Sequence, residues 1–510
     1  MTFRRLERVS TMSTQCTSWN PDLVQPYRRK FLDKYSKSMM RDDDHVLVDS
    51  NVGQVLAMTG FNVRPMPRSV YEVGQLFEAL DRYAPKYSHR PTATEISVGS
   101  SFARTCFGKP EHCRYLDVLP LDARSVKILT SRVSASAGLT AMGKTKAEAG
   151  LIALERAKAI LDGATSPRPC IAYKRTQKQN KTRLVWGYPY EMTILEGLVA
   201  RPLIENFGRY RTPMSFQMST LELGSMIRHG TRTNNWAYSL DMSKFDSSVP
   251  GNLIHLGFKF LKTWFDLEQI IPYTNSTVGQ LFELIEKYFI CTPIVMPDQN
   301  IYLGKRHGVP SGSYFTQIID SIVNCMIAGA LSYRFNMKIK KRDVCILGDD
   351  LLVFSNKLVD LDEISTWIYN TFGIRVHGSD KSTLSHWDEE IHYLGRRWRN
   401  GIPYVPQDEI LSKMVYPERF RKYSFDKRKK EYEVKLLFDS YASEYRNGWN
   451  IIQEAYHPQG KTTLLSSERW DCDIRPTNIV WSLNPDHMSG LMRYKRIYNS
   501  TNHGFVTTLT

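Results

Sequence analysis

The stretch CILGDDLLVFS, running from Cys345 to Ser355, constrains this chain more than any other. Two short apolar runs flank Gly348-Asp349-Asp350, so the spacing predicts two strands joined by a tight turn that carries adjacent carboxylates. Gly348 suits that turn because a residue without Cβ adopts positive φ at little cost. Two like charges side by side repel unless a cation binds them, and a purely structural hairpin has no use for them. A plain turn is the competing reading of this segment alone.

A second acidic stretch, SLDMSKFDSS, closes the apolar run WAYSLDM, which is predicted as a buried strand. Asp241 ends that strand and Asp246 lies five residues later. Alone, Asp241 could simply cap the next helix. Set in a strand beside the hairpin, Asp241 with Asp349 and Asp350 makes a cluster of oxygen ligands for two divalent ions. Such a pair, about 3.5–4 Å apart, lowers the pKa of an attacking hydroxyl and stabilises the leaving oxygen of in-line phosphoryl transfer. The third stretch is GVPSGSYFTQIIDSIVNCM, in which Gly308, Pro310, Ser311 and Gly312 form a small-residue loop entering a helix. Phe315, Ile318, Ile319, Ile322, Val323 and Met326 follow helical spacing and should face the core. Thr316, Asp320 and Asn324 are expected on the other face, either merely solvated or turned toward substrate sugar or template.

In this order, D-x4-D, SG-x3-T and GDD resemble motifs A, B and C of viral RNA-dependent RNA polymerases. The wording SGSYFTQIIDSIVN, with GVP before it, is most similar to the double-stranded RNA group of partitiviruses and picobirnaviruses. KTRLVWGYP resembles motif F, which implies that Lys181 and Arg183, with Lys174 and Arg175 as further candidates, hold the incoming triphosphate; an exposed basic loop is the alternative. SASAGL resembles motif G, which implies that Ser136 and Gly138 let template backbone pass closely, although a simple turn would read the same. Gly308 and Gly312 are assigned to the same template path. DKSTLSHWDEEIHYLGRRW resembles motifs D and E. That implies Lys381 as proton donor to pyrophosphate and the stretch from Tyr393 to Trp398, Arg396 included, as a grip on the primer strand.

One departure from the pattern stands out. Many positive-strand relatives carry Asn four residues after the motif B Thr, where it helps read the ribose 2′-OH; here Asp320 holds that place and Asn324 comes one turn later. Sugar recognition is therefore carried over to Asp246, with Ser311, Thr316 and Asn324 as further nucleotide contacts. A reverse transcriptase usually places a bulky aromatic at the position of Asp246, whereas a carboxylate accepts from a ribose hydroxyl.

The resemblance implies an α+β right-hand fold, with an antiparallel palm sheet flanked by helices between fingers and thumb. Residues 1–90 would be an N-terminal extension, 91–187 and 254–305 fingers, 188–253 and 306–405 palm, and 406–510 thumb and C-terminal tail. It implies two Mg2+ ions, with Mn2+ able to substitute, and RNA template, product and NTPs as partners. Viral capsid protein would be a further partner, inside the virion and in the host cytoplasm. Charge agrees: 68 Lys and Arg against 52 Asp and Glu, a net +16, favour a polyanionic partner. The basic, aromatic stretch from Arg419 to Lys430 is either a product-duplex contact or a solvated helix face. The tail after about residue 483, with Tyr494 and Tyr498, is expected to fold back into the product channel. Eight cysteines form no C-x-x-C pair, so structural thiols are expected. No apolar run approaches the ~20 residues of a bilayer span, and no hydrophobic signal core follows Arg4, Arg5 and Arg8, so neither membrane nor secretion is expected. Two other classes compete. A non-catalytic basic RNA-binding protein leaves the three motifs without purpose, and a two-metal nuclease leaves the basic triphosphate strip unused.

Overall fold

The computed structural model describes residues 26–418, apart from short stretches at 59–62, 86–90, 131, 179, 210–211, 217 and 219. Most of the expected thumb, the basic stretch from Arg419 and the tail lie outside the described residues. The N-terminal part holds α1 (Pro26–Met39), α2 (Ser50–Met58) and α3 (Val73–Asp81), followed by α4 (Ala93–Phe107), α5 (Ala123–Leu129) and α6 (Lys146–Leu161). Capping boxes start α4 and α6: Thr92 with Glu95, and Thr145 with Glu148, satisfy N–H groups that a first helical turn leaves open. A hairpin of β1 (Cys170–Gln177) and β2 (Lys181–Gly187) precedes α7 (Tyr190–Arg209) and α8 (Thr220–Thr233). Next come β3 (Trp236–Asp241), the single turn α9 (Phe245–Ser248), α10 (Gly251–Lys262), α11 (Val278–Ile290), β4 (Ile294–Val295) and β5 (Ile301–Tyr302). The motif B helix α12 (Thr316–Arg334) leads to the hairpin of β6 (Val344–Leu347) and β7 (Asp350–Ser355), then α13 (Leu361–Phe372) and β8 (Thr383–His386). A small meander, β9 (Ile391–Tyr393), β10 (Arg396–Arg399) and β11 (Ile402–Tyr404), ends at α14 (Gln407–Val415).

Three sheets organise these elements. The palm sheet runs β6-β7-β3-β8 with every pairing antiparallel. Its alternating residues serve two cores, as a half-buried strand period requires. Tyr238, Leu240, Ile346, Leu351 and Val353 join the main core with α12, while Ala237, Cys345, Leu352 and Phe354 pack against Leu223, Ile227, Tyr393 and Trp398 on the other side. The second sheet, β2-β1-β4-β5, unites strands from the two separate stretches assigned to the fingers, with β1 and β4 parallel. The third is the meander, β11-β10-β9. Together these give the expected α+β right-hand architecture.

Helix α12 departs from the expected amphipathic pattern. Every residue from Ile318 to Leu331 is buried, Asp320, Ser321 and Asn324 among them. It is sandwiched between α4 and the palm strand β6, so no face remains for solvent. Cys106, Cys113, Cys170, Cys291, Cys325 and Cys345 are free thiols. Among the described residues no helix is long and apolar enough to cross a membrane.

Candidate active site

The GDD turn forms as its residues dictate. Leu347 pairs with Asp350 across the hairpin, which leaves Gly348 and Asp349 as a two-residue turn, and Gly348 takes φ 61°. On the other side of β7 lies β3, with Asp241 opposite Asp350. Opposed residues of an antiparallel pair share a face, so these two carboxyls leave the sheet side by side, next to Asp349. Asp246 sits in α9, just beyond the end of β3, where its carbonyl accepts the Val309 N–H at 2.6 Å. Asp320 approaches from α12.

Electrostatics tie these five carboxyls into one group. Burial pushes Asp246 up to about 6, with Asp349 adding to the shift. Burial likewise pushes Asp350 up to about 7, helped by Asp349 and then Asp241. Asp349 is raised by burial first, and Asp320 is held well above the usual carboxyl range by burial, then by Asp246 and Asp349. Arg183 of β2 opposes the shift at Asp246, Asp349 and Asp350, so its guanidinium lies within electrostatic reach of all three. Lys181, lowered by burial first, also feels Lys381, Arg183 and Asp241.

Among the described residues, no three Asp, Glu, His or Cys side chains close on a point where they could hold an ion. The register nevertheless brings Asp241, Asp349 and Asp350 to neighbouring positions. The donor set still fits a hard divalent cation: it is all oxygen, and burial together with neighbouring carboxylates disfavours the uncompensated charge of Asp349 and Asp350.

The profile of the family described as viral RNA-dependent RNA polymerase matches residues 169–451, more than half of the chain. The chain belongs to that family. An RNA-directed RNA polymerase of Cryptosporidium parvum virus 1 (strain KSU-1) is 34% identical over 185 residues, 34% of this chain and 32% of the relative. One from Atkinsonella hypoxylon virus (isolate 2H) is 31% identical over 150 residues, 28% of this chain and 22% of the relative. The matched region thus spans a third or less of either relative. The crystal structure of the RNA-dependent RNA polymerase of a human picobirnavirus superposes with a TM-score of 0.67 at 14% identity, over 88% of this chain and 90% of that one. The Sicinivirus 3Dpol structure superposes with a TM-score of 0.64 at 15% identity, over 84% and 95%. At such identities the superpositions bear on fold alone. That fold agrees with the family.

Within this polymerase fold several expected contacts are employed differently. Lys174 lies on the opposite face of the β1–β2 hairpin from Lys181 and Arg183, because Arg175 pairs with Arg183 and Gln177 with Lys181. Its ammonium instead stands 3.7 Å from the centre of the Tyr71 ring. Tyr393 is buried, with its hydroxyl 2.9 Å from that of Ser215, so its ring anchors the meander and is not open to a primer. Arg396 pairs with Tyr393 on the neighbouring strand and is half-buried. Asn324 Nδ2 donates to the Gly348 carbonyl at 2.6 Å, while its buried Oδ1 has no hydrogen-bond partner among the described residues.

The small residues of motifs B and G also answer to protein neighbours. A Cβ on Gly308, at φ 75°, would come within 2.4 Å of the Asp246 carbonyl. One on Gly312 would meet the Trp186 carbonyl at 2.2 Å, and one on Gly138 the Tyr188 carbonyl at 2.9 Å. Ser311 Oγ accepts the Trp186 N–H at 3.0 Å, and Thr316 Oγ1 donates to the Pro310 carbonyl at 2.6 Å. Ser136 is exposed, 2.9 Å from the hydroxyl of Tyr173. Lys381 Nζ lies 3.2 Å from His377 Nε2, whose other nitrogen is 3.0 Å from Asp380.

Two residues escaped the motif reading. Ser321 Oγ accepts the Gly348 N–H at 3.0 Å, so Ser321 and Asn324 grip the GDD turn from α12. Ser382 Oγ accepts the Asp241 N–H at 3.1 Å. The signal for Ser321 was present: polar residues at 320, 321 and 324 interrupt a helix that is otherwise apolar.

Proposed function

We propose that this chain is an RNA-directed RNA polymerase that joins NTPs on an RNA template by a two-metal mechanism. The observation that carries the reading is the β3–β7 register, which sets Asp241 opposite Asp350 beside the Asp349 turn, with Arg183 of the fingers facing the same carboxyls. Asp241 and Asp349 would hold Mg2+, or Mn2+ in its stead, with Asp350 beside them; the bound ions would acidify the primer 3′-hydroxyl and neutralise phosphate charge.

The chain's own groups supply the rest. Arg183 and Lys181 take up triphosphate charge and orient the α-phosphate toward the 3′-oxygen. Asp246 accepts the ribose 2′-hydroxyl. As the 3′-oxygen, its proton passed to solvent water, bonds to the α-phosphorus, the bond to the bridging oxygen breaks, and Lys381 gives a proton to the departing pyrophosphate. His377, itself next to Asp380, orients that lysine through Nε2. The double-stranded RNA group of the motifs favours replication and transcription within a capsid, with capsid protein as partner and the virion and host cytoplasm as locations.

The test is RNA synthesis with and without a primer on homologous and unrelated templates with Mg2+ or Mn2+, with Asp349→Ala as control. Template-dependent product that disappears in the variant supports the reading. A well-folded but inert wild type, beside an active control polymerase in the same buffer, overturns it in favour of a non-catalytic RNA-binding protein.

A further inference from the structure

We infer that Lys305 and Glu196, two buried charged side chains outside the family's motifs, are the positioning residues that hold the motif B loop and, through it, Asp246. The inference rests on the reading of Asp246 as the ribose contact.

Lys305 is 2% exposed, and its ammonium donates to three carbonyls: Phe289 at 2.7 Å, Ile290 at 3.1 Å and Gly308 at 2.7 Å. An ammonium has three N–H donors, so the side chain is fully used. Phe289 and Ile290 end α11, where carbonyls lack partners within the helix and the macrodipole is negative. The lysine therefore fastens Gly308 to the end of a fingers helix. At the far end of the loop Glu196, 0% exposed in α7, accepts the Ser313 hydroxyl at 2.7 Å and the Tyr314 N–H at 2.8 Å.

Between these anchors the loop grips α9. The Gly308 N–H donates to the Val249 carbonyl at 2.7 Å and the Val309 N–H to the Asp246 carbonyl at 2.6 Å. Those two carbonyls bracket the turn that carries the Asp246 side chain, so a displaced Gly308 displaces that carboxyl. Burying a charge is costly unless every bond is made, and an apolar side chain would fill the same volume without that cost. Burial pushes Lys305 down and Glu196 up, each to about 7, and what the pair supplies against that cost is a fixed place for the loop.

Lys305→Met keeps the aliphatic stem and removes the donors. In amide hydrogen exchange on the full chain without nucleotide, Gly308, Val309 and residues 245–249 should exchange at least tenfold faster, while the hairpin 344–355 keeps its wild-type rate. Glu196→Leu should do the same at 311–315. In nucleotide addition, Lys305→Met should reduce the preference for ribo- over deoxynucleotides in kcat/KM by about tenfold or more, the scale on which misplacing a reacting group acts. Lys262→Met, which removes a 2.7 Å ion pair to Glu286 on the same α11, should leave both measurements unchanged. Unchanged exchange at 308–309, or equal acceleration in the hairpin, overturns the anchoring. An unchanged sugar preference in an active variant overturns the link to Asp246. Exchange needs no activity, so an inert wild type would defeat the polymerase reading and still leave the anchoring to be decided.

Discussion

Gly348 is held from both sides by one helix, its N–H by Ser321 and its carbonyl by Asn324. That grip sets where Asp349 stands. Asn324→Leu would leave the Gly348 carbonyl buried and unpaired, a loss of about 1–3 kcal/mol. The expected outcome is a Tm lower by a few degrees and a kcat reduced at least about tenfold with KM little changed; steady-state kinetics showing a KM effect alone would instead favour direct nucleotide contact by Asn324. Asp246→Ala should narrow the preference for ribo- over deoxynucleotides by about tenfold or more, since a site that hydrogen-bonds a substrate hydroxyl owes its selectivity to that bond. Competition between ATP and dATP measures it, and unchanged selectivity would remove Asp246 from that role. The candidate carboxylates stand out in the sequence because Asp-Asp after Gly between two apolar runs sets two like charges on a turn that needs neither for its own geometry. Ser321 and Ser382 do not, because a serine in a helix or loop has no distinctive pattern until its backbone partner is known.

The β1–β2 hairpin shows what register adds to composition. Lys174, Arg175, Lys181 and Arg183 look equivalent in a basic strip, but the strand period puts Arg175, Lys181 and Arg183 on one face and Lys174 on the other. Arg183→Gln should raise the KM for NTP by about tenfold or more, as expected for a lost charged contact to phosphate. Lys174→Met should leave it within about twofold. Initial-rate measurements across NTP concentration distinguish the two faces, and a large KM effect at Lys174 would mean that the strand rotates on binding. Alternation alone separates Lys174 from Arg175. Pairing Arg175 with Arg183, however, depends on where the turn falls, and the sequence between Gln177 and Lys181 offers no strong turn signal. Helix α12 shows the converse: its apolar spacing marks a core helix, but its polar residues turn inward to the palm hairpin because α4 and β6 cover both sides of it.

At the scale of the whole molecule, separate stretches of chain converge on one pool of negative charge, with Arg183 and Lys181 facing it from β2. The N-terminal part also reaches beyond the palm: Val52, Val55 and Leu56 of α2 pack with Ile410, Leu411 and Met414 of α14, and Arg68 pairs with Glu418 at 2.8 Å. The charge pool makes stability depend on pH. Asp246 and Asp350 rise from 3.8 to about 6 and about 7, so the folded chain binds their protons more tightly than the unfolded one. Their contribution is full below about pH 4 and is lost as pH rises through about 6 to 7. Divalent cations bind the ionised form, so Mg2+ should raise Tm by a few degrees, and more at about pH 8 than at about pH 6. Thermal melts with and without chelator check this; an equal or larger effect at the lower pH would count against a cation site among these carboxyls. The sequence by itself determined the hairpin, the terminal strand carboxylate and the small-residue loop, because each follows from local periodicity and turn chemistry. Only the tertiary structure decided which side chains face the carboxylate cluster and which hold the frame, because that depends on strand register and on what covers each face, and neither is encoded within a single segment.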